Sequence, residues 1–224
     1  TASYANSSVG VTVDMATPSN NVNVGQDSFI SIESILGSAF NDRITGDAAA
    51  NQISGGDGDD TLIGGAGADT LTGGAGTDTA DYSASGSAVT AYLTGTAGTG
   101  GDAAGDVLSG IENLIGSTNA DTLTGDGSAN VLTGNDGDDT LIGGAGADTL
   151  TGGNGSDTAS YANASAGVTA NLANAAANTG DASSDVYSSI ENLIGSAQAD
   201  TLVGDGNSNA LTGGDGDDTL VGGL

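Results

Sequence analysis

Residues 55–81 read GGDGDDTLI, GGAGADTLT and GGAGTDTAD, which is one nine-residue unit repeated without a gap. Each unit has glycine at positions 1, 2 and 4, aspartate at position 6 and an apolar residue at position 8. The unit returns at residues 134–160 and 213–221. Short apolar-centred stretches between glycine-rich turns predict three-residue β-strands whose middle side chain points inward, because side chains alternate across a strand. A repeat of this length predicts a solenoid whose coils stack on one another.

The charge and composition exclude several classes of protein. The net charge is −28, from 29 acidic residues against one base, Arg43. Repulsion by phosphate groups therefore excludes a nucleic-acid partner. Acidic chains with 3% aromatic residues are often disordered. Here the acids recur at fixed turn positions where a cation could neutralise them, so we expect disorder only without metal.

The missing residue types indicate which cation would bind. The chain has no cysteine and no histidine, so disulfides, thiolate sites and the usual zinc ligands are excluded. The remaining oxygen ligands favour hard cations over transition metals. We find no apolar run of membrane-spanning length and no signal peptide. Both ends of the sequence resemble cuts from a longer array, and we expect further modules beyond them.

A longer period is superimposed on the period of nine. Glu33, Glu112 and Glu191 lie in IESILGS, IENLIGS and IENLIGS and are 79 residues apart. The nonapeptide phase also begins upstream of the perfect copies, at Gly37, Gly116 and Gly195. The chain therefore consists of three modules, each with a spacer half and a nonapeptide half. We place the spacer halves at residues 1–36, 80–115 and 159–194, and the arrays at 37–79, 116–158 and 195–224.

The spacer halves have a different residue pattern from the nonapeptide halves. Alternating apolar residues at Val89, Ala91 and Leu93 predict strands. The stretches GTAGTGGDAAGD and NAAANTGDASSD read as loops that bulge from a coil. A separate small domain is the alternative, although so few large apolar residues would make it marginal.

The unit Gly-Gly-x-Gly-x-Asp-x-apolar-x is the calcium-binding repeat of RTX proteins, and the chain resembles this family of secreted bacterial proteins. The resemblance implies an all-β fold, a right-handed parallel β-roll with two nonapeptides per coil. It also implies several bound Ca²⁺ ions, held by position-6 aspartates and turn carbonyls. Calcium takes six to eight such oxygens. We expect glycines at positions 1, 2 and 4 to adopt positive φ and turn carbonyls inward.

Carried onto this sequence, the resemblance predicts a set of calcium ligands. On the roll geometry, alternate turns line opposite edges, so Asp42, Asp60 and Asp78 share one edge and Asp69 lies on the other. The predicted aspartates are Asp42, Asp60, Asp69, Asp78, Asp121, Asp139, Asp148, Asp157, Asp200 and Asp218. The predicted turn glycines are Gly56, Gly58, Gly65, Gly67, Gly74, Gly76, Gly137, Gly144, Gly146, Gly153, Gly155, Gly214 and Gly216.

Departures from the pattern predict weaker sites. Position 6 is asparagine at Asn51, Asn130 and Asn209, where we expect calcium to be missing. The aspartate at position 2 of the same units, such as Asp47, is a candidate to compensate. Units such as GSAFNDRIT lack glycine at positions 2 and 4. Acids at positions 3 and 5, such as Asp57 and Asp59, are expected to face solvent.

Two recurring spacer residues have a structural and a functional interpretation. For Glu33, Glu112 and Glu191 we favour a surface position at a strand edge over calcium ligation. For Tyr4, Tyr82 and Tyr161 we favour packing at a module junction over carbohydrate stacking.

The sequence favours a structural role over catalysis. We expect an extracellular or cell-surface calcium-binding module of a long repetitive filament, surface-layer or adhesin-like protein, with calcium, copies of itself or neighbouring modules as partners. Family resemblance implies type I secretion of the unfolded chain and folding in external calcium. The alternative is an accessory array of a secreted RTX protease, lipase or alginate epimerase. The chain itself is not expected to be an enzyme, and the turns lack the threonine and asparagine rows of ice-binding solenoids.

Overall fold

The computed structural model describes residues 1–25 and 27–223. Gln26, in the first predicted spacer half, and Leu224, the last residue of the third predicted array, lie outside the described residues. The chain divides into two compact units, the first spanning Thr1–Ile115 and the second beginning at Gly116. The division falls between a predicted spacer half and the array that follows it, while the six predicted segments remain a prediction.

Short parallel strands make up both units, and no α-helix is present in the described part of the chain. The first unit contains β1 (Ala2–Ser3), β2 (Thr12–Asp14), β3 (Ser34–Leu36), β4 (Arg43–Thr45), β5 (Gln52–Asp57), β6 (Thr61–Ile63), β7 (Thr70–Ala75), β8 (Thr79–Asp81), β9 (Thr90–Tyr92), β10 (Val107–Ser109) and β11 (Asn113–Ile115). The second contains β12 (Thr122–Thr124), β13 (Val131–Asp136), β14 (Thr140–Ile142), β15 (Thr149–Asn154), β16 (Thr158–Ser160), β17 (Thr169–Asn171), β18 (Val186–Ser188), β19 (Asn192–Ile194), β20 (Thr201–Val203), β21 (Ala210–Thr212) and β22 (Thr219–Val221). Single 3₁₀ turns lie at Pro18–Asn20, Gly101–Ala103, Ala175–Ala177 and Gly180–Ala182.

In the first unit, all strands except β9 fall into two rows. One row has the order β1-β3-β5-β7-β10, and the other runs β2-β4-β6-β8-β11. Ile53 pairs with Leu71 in the first row, and Ile44 pairs with Leu62 in the second. Partners in the arrays are 18 residues apart, so one coil consists of two nonapeptides. The all-β parallel β-roll predicted from the repeat is confirmed.

The second unit is also built from rows of short strands, here three. Its rows are β13-β15-β18, β12-β14-β16-β19-β21 and β17-β20-β22, all parallel. The antiparallel exceptions in the described residues are single bridges, Thr12 with Val22, Thr90 with Thr99 and Thr169 with Thr179. Each of these closes a short excursion of the chain beside a coil.

The spacer segments join the rows instead of forming a separate domain. Leu108 of β10 pairs with Leu71 of β7, and Leu114 of β11 pairs with Ala80 of β8. Leu193 of β19 pairs with Ala159 in the same way. The additional spacer residues lie outside the coil, so the strands keep their register. The apolar residue of each strand therefore stays at the inward position.

The position-8 residues form the core, except in the last two nonapeptides, where Leu211 is half-buried and Leu220 is exposed. Ile44, Leu62, Leu71, Leu141 and Leu150 are among the fully buried side chains. Leu220 is 48% exposed, because no further described coil covers it. Burial of each aliphatic side chain contributes about 1.5–3 kcal/mol, and the stripe therefore holds the coils together.

Strand length departs from the prediction in one row of each unit. β5, β7, β13 and β15 have six residues instead of three. The pairing continues through the glycine turn, where Gly56 pairs with Gly74 and Asp57 with Ala75. Glycines lack a Cβ, so the stacked turns approach closely enough to extend the ladder.

Candidate metal sites

The position-6 residues of successive coils are linked by hydrogen bonds. The main-chain N–H of Asp42 donates to Oδ1 of Asp60, and that of Asp60 donates to Oδ1 of Asp78, both at 2.8 Å. On the opposite edge, the N–H of Asn51 donates to Oδ1 of Asp69 at 2.8 Å. We call the residues in these chains the ladder residues. One carboxylate oxygen of each ladder aspartate therefore holds the coil before it.

The same ladder is built in the second unit. Asp139 accepts from the N–H of Asp121 at 2.7 Å, and Asp157 accepts from that of Asp139 at 2.9 Å. Asp148 accepts from the N–H of Asn130 at 2.9 Å, and Asp218 from that of Asp200 at 3.0 Å. The predicted aspartates of the perfect repeats are thus all placed on the turn edges.

The second oxygen distinguishes the perfect repeats from the rest. In six ladder aspartates Oδ2 is buried and has no hydrogen-bond partner, and these residues are Asp60, Asp69, Asp78, Asp139, Asp148 and Asp157. Their side chains are at most 1% exposed. A buried carboxylate oxygen without a partner is costly, and proteins compensate it with a proton or a cation.

The pKa values of these carboxyl groups reflect the same cost. Burial raises the pKa of Asp60, Asp69 and Asp148 to about 7, and that of Asp139 to about 6. Burial also raises the pKa values of Asp78 and Asp157. Neighbouring acids, such as Asp42 and Asp78 beside Asp60, add to the increase. Near neutral pH these carboxyl groups therefore tend to bind a proton unless a cation neutralises them.

Glycine at position 1 makes room for the open oxygen. An ideal Cβ on Gly55 would lie 2.0 Å from Oδ2 of Asp60, and one on Gly64 would lie 2.2 Å from Oδ2 of Asp69. These glycines are not at positive φ, so the prediction that position 1 needs a left-handed backbone is wrong. The space occupied by the carboxylate, not the dihedral angle, excludes a side chain.

Glycines at positions 2 and 4 have the predicted positive φ. Gly56, Gly58, Gly74 and Gly76 have φ values of 120°, 112°, 132° and 144°. A Cβ on Gly56 would lie 2.2 Å from the carbonyl oxygen of Ser38, one coil earlier. The turns therefore stack with the main-chain carbonyls of one coil close to the glycines of the next.

These observations fit calcium. Carboxylate and carbonyl oxygens are the ligands that Ca²⁺ prefers, and each open Oδ2 lies within a glycine turn. No group of three or more Asp, Glu, His or Cys side chains suited to a metal occurs in residues 1–25 and 27–223. A bound ion would therefore depend on main-chain carbonyls beside one or two ladder carboxylates, with Asp60, Asp69, Asp78, Asp139, Asp148 and Asp157 as its acidic ligands.

Three predicted ligands have both oxygens bound by the protein. In Asp42, the main-chain N–H of Ser38 donates to Oδ2 at 2.5 Å and the Ser38 hydroxyl donates to Oδ1 at 2.8 Å. Ser117 and Ser196 hold Asp121 and Asp200 in the same way. In these turns the main-chain N–H of position 2 thus satisfies Oδ2, the oxygen left open in the perfect repeats, and the serine hydroxyl adds a donor to Oδ1.

The asparagine units close their turns internally. Oδ1 of Asn51 accepts the main-chain N–H of Asp47 at 2.8 Å, and the equivalent bond links Asn130 to Asp126. The Asp47 side chain accepts the N–H of Ala49 at 2.8 Å. Asp47 is therefore engaged within its own turn, and the absence of calcium from these units remains a prediction.

Acids at position 5 have a role that the sequence did not indicate. Oδ1 of Asp59 accepts the N–H of Thr77 at 2.9 Å, and Asp138 does the same for Ser156. Both side chains are exposed. They form a second, outer ladder above the metal-facing one.

The sequence analysis missed the ladder residues contributed by the spacers. Asp106 and Asp185 accept the N–H groups of Asp69 and Asp148, and Oε2 of Glu112 accepts that of Asp78 at 2.8 Å. Residues 101–109, GDAAGDVLS, keep glycine at position 1, aspartate at position 6 and leucine at position 8. That spacing was the available signal.

The fold and the open oxygens define the chain as a calcium-binding parallel β-roll. Residues 31–62, 46–80, 106–140, 124–159 and 190–224 match the family described as the RTX calcium-binding nonapeptide repeat (4 copies). These matches cover more than half of the chain, which therefore belongs to this family. A comparison with curated proteins gave no match. No helix in residues 1–25 and 27–223 is long and apolar enough to cross a membrane.

Proposed function

We propose that this chain is an extracellular structural module that folds on binding calcium after secretion and forms part of a longer repetitive surface, filament or adhesin-like protein. The observation that supports it is the set of six buried Oδ2 atoms without a protein partner. Without cations, these carboxylates destabilise the fold in a chain whose net charge is −28.

The calcium dependence matches the chemistry of the two compartments. Extracellular calcium modules have dissociation constants on the order of 10⁻⁴–10⁻³ M. In a cytoplasm low in free calcium, the acidic chain repels itself and stays unfolded, as type I export requires. Outside the cell, calcium neutralises the turns and the roll forms. No catalytic step is part of this proposal, because the carboxylates of the turns hold the main chain and the ion.

The test is a calcium titration of the full chain, followed by far-ultraviolet circular dichroism and calorimetry. At neutral pH we expect disordered arrays in excess chelator and a β-rich chain with bound calcium. Magnesium, which demands a smaller octahedral site, should promote folding poorly. A chain that is equally β-rich in chelator and in calcium would contradict the proposal.

A matched pair of variants tests whether the ions bind at the open oxygens. The triple variant D60N/D69N/D78N removes three open carboxylates of the first unit. The control D57N/D215N/D217N removes the same charge from exposed positions. We expect the first variant to bind fewer ions and the control to bind as many as the wild type. Equal losses in both would show that only net charge matters.

A further inference from the structure

One ladder position in each unit is occupied by an aspartate from the spacer. Asp106 and Asp185 accept the main-chain N–H groups of Asp69 and Asp148 at 2.7 and 2.9 Å. Both carboxylates are buried, with 1% and 0% exposure. They extend the ladder one coil beyond Asp69 and Asp148, whose own second oxygens are open.

A tyrosine hydroxyl binds the second oxygen at these two positions. Tyr82 donates to Oδ2 of Asp106 at 3.0 Å, and Tyr161 donates to Oδ2 of Asp185 at 2.6 Å. Both tyrosine side chains are 3% exposed. The protein therefore supplies a donor at the ladder oxygen that the perfect repeats leave without one. In the first module Tyr4 makes the same contact with Asp27 at 3.0 Å, in an exposed setting.

The turns that carry these aspartates also satisfy their own main chain. The N–H of Gly98 donates to the carbonyl oxygen of Asp106 at 2.8 Å, and that of Gly105 donates to the carbonyl of Gly98 at 2.9 Å. In the second unit, the side-chain amide of Asn178 donates to the carbonyl of Asp185 at 3.2 Å. Carbonyls that could bind a cation in a glycine turn are thus used internally.

Apolar packing supports each of these turns. Ala103 and Ala182, inside the two turns, are 0% exposed, and Leu108 of β10 is 2% exposed. β10 pairs in register with β7, and β18 pairs with β15. The spacer turn is consequently built into the roll at the end of a strand row that contains open carboxylates.

We propose that Tyr82–Asp106 and Tyr161–Asp185 are metal-independent latches, in which a tyrosine hydroxyl takes the place of a cation. The junction segments, residues 98–109 and 177–188, then hold their structure without calcium. They present a formed strand on which the neighbouring array assembles when calcium binds. This inference rests on the proposed function only in that the arrays themselves require calcium.

Hydrogen exchange of the full chain in excess chelator, read by mass spectrometry, tests the latches. We expect peptides from the junction segments to exchange more slowly than peptides from residues 55–78 and 134–157. Y82F should speed exchange in residues 98–109 about tenfold or more, the scale of a lost hydrogen bond to a charged group, and leave residues 177–188 unchanged. Y161F should have the reverse effect. Y92F, which removes a hydroxyl from β9 and no ladder contact, should change neither segment.

Each outcome has one meaning. Junction segments that exchange as fast as the arrays in the wild type would overturn the latch, as would unchanged protection in Y82F and Y161F. A variant that loses protection in both segments at once would show a general loss of stability and also overturn it. Protection of residues 55–78 in chelator is a separate result, which contradicts the calcium-dependent folding of the arrays and not the latch.

Discussion

Asp60 and Asp78 are joined by a hydrogen bond from the main-chain N–H of Asp60 to Oδ1 of Asp78, 2.8 Å long, while Oδ2 of Asp78 is buried without a partner. The two oxygens of one carboxylate therefore have different tasks. Oδ1 sets the stacking of the coils, and Oδ2 is left for a cation. Because the two oxygens have different roles, the effects of single substitutions can be predicted.

Removing the charge of one open carboxylate should raise the calcium requirement. D60N keeps a side-chain oxygen that can accept the N–H of Asp42 but loses the anionic ligand. We expect the calcium concentration at half-folding to rise several-fold, because each carboxylate ligand contributes to the affinity of a calcium site. D57N, an exposed change of equal charge, is the control and should shift the midpoint by less than twofold. Circular dichroism during calcium titration measures both.

Adding a methyl group at position 1 should break a site without changing its charge. In G55A the new Cβ would lie 2.0 Å from Oδ2 of Asp60. We expect a loss of about 1–3 kcal/mol in the free energy of unfolding in calcium, as for overpacked cores. In G127A the Cβ meets no atom within 4 Å, and the change should stay within about 1 kcal/mol. Similar losses in both variants would contradict the assigned role of Gly55.

The serine-capped turns should be sensitive to loss of the hydroxyl. S38A removes the hydroxyl donor 2.8 Å from Oδ1 of the buried Asp42 and leaves the main-chain N–H of Val11 as the other donor to that oxygen. We expect a loss of about 1.5–3 kcal/mol, the usual range for a hydrogen bond to a charged group. S54A, on the outer face of β5, should change stability by about 0.5 kcal/mol or less. Urea unfolding in saturating calcium provides the comparison, and equal effects would argue against the serine cap.

Acid should stabilise the calcium-free fold. The pKa of Asp60 rises from its ordinary value of 3.8 to about 7 on folding without metal, and Asp69 and Asp148 behave alike. Because the folded state holds these protons more tightly, their contribution is complete below about pH 3.8 and is lost as the pH rises through about 7. In metal-free buffer we therefore expect more folded chain at pH 5 than at pH 8.

In the presence of calcium, the pH dependence of folding should reverse in sign. Protons then compete with the ion for the open Oδ2 atoms, so the calcium midpoint should be higher at pH 5 than at pH 8. The variant D60N/D69N/D148N should weaken both dependences, because an amide does not titrate. Circular dichroism at the two pH values, with and without calcium, measures the effect. Metal-free stability that increases with pH would contradict the raised pKa values.

The sequence predicted those parts of the roll where the period of nine is unbroken. Pairs such as Ile53 with Leu71 follow from the 18-residue coil, and Asp60, Asp69 and Asp78 fall on the edges expected from alternation. The resemblance also indicated the ion. Asp106 and Glu112 were missed because their ladder contacts span 37 and 34 residues, and insertions hide the register from a periodic pattern.

Sequence by itself determined the repeating coil, because glycine at fixed turn positions and one apolar residue per strand permit stacking at every step. Only the tertiary structure decided which carboxylates are left open. Asp42 and Asp60 occupy the same position in their units, yet Ser38 binds both oxygens of Asp42 while Oδ2 of Asp60 has no protein partner. Whether a carboxylate requires a cation depends on the hydrogen-bond donors that surround it in space. Residues from the same turn, from another coil or a spacer tyrosine supply these donors.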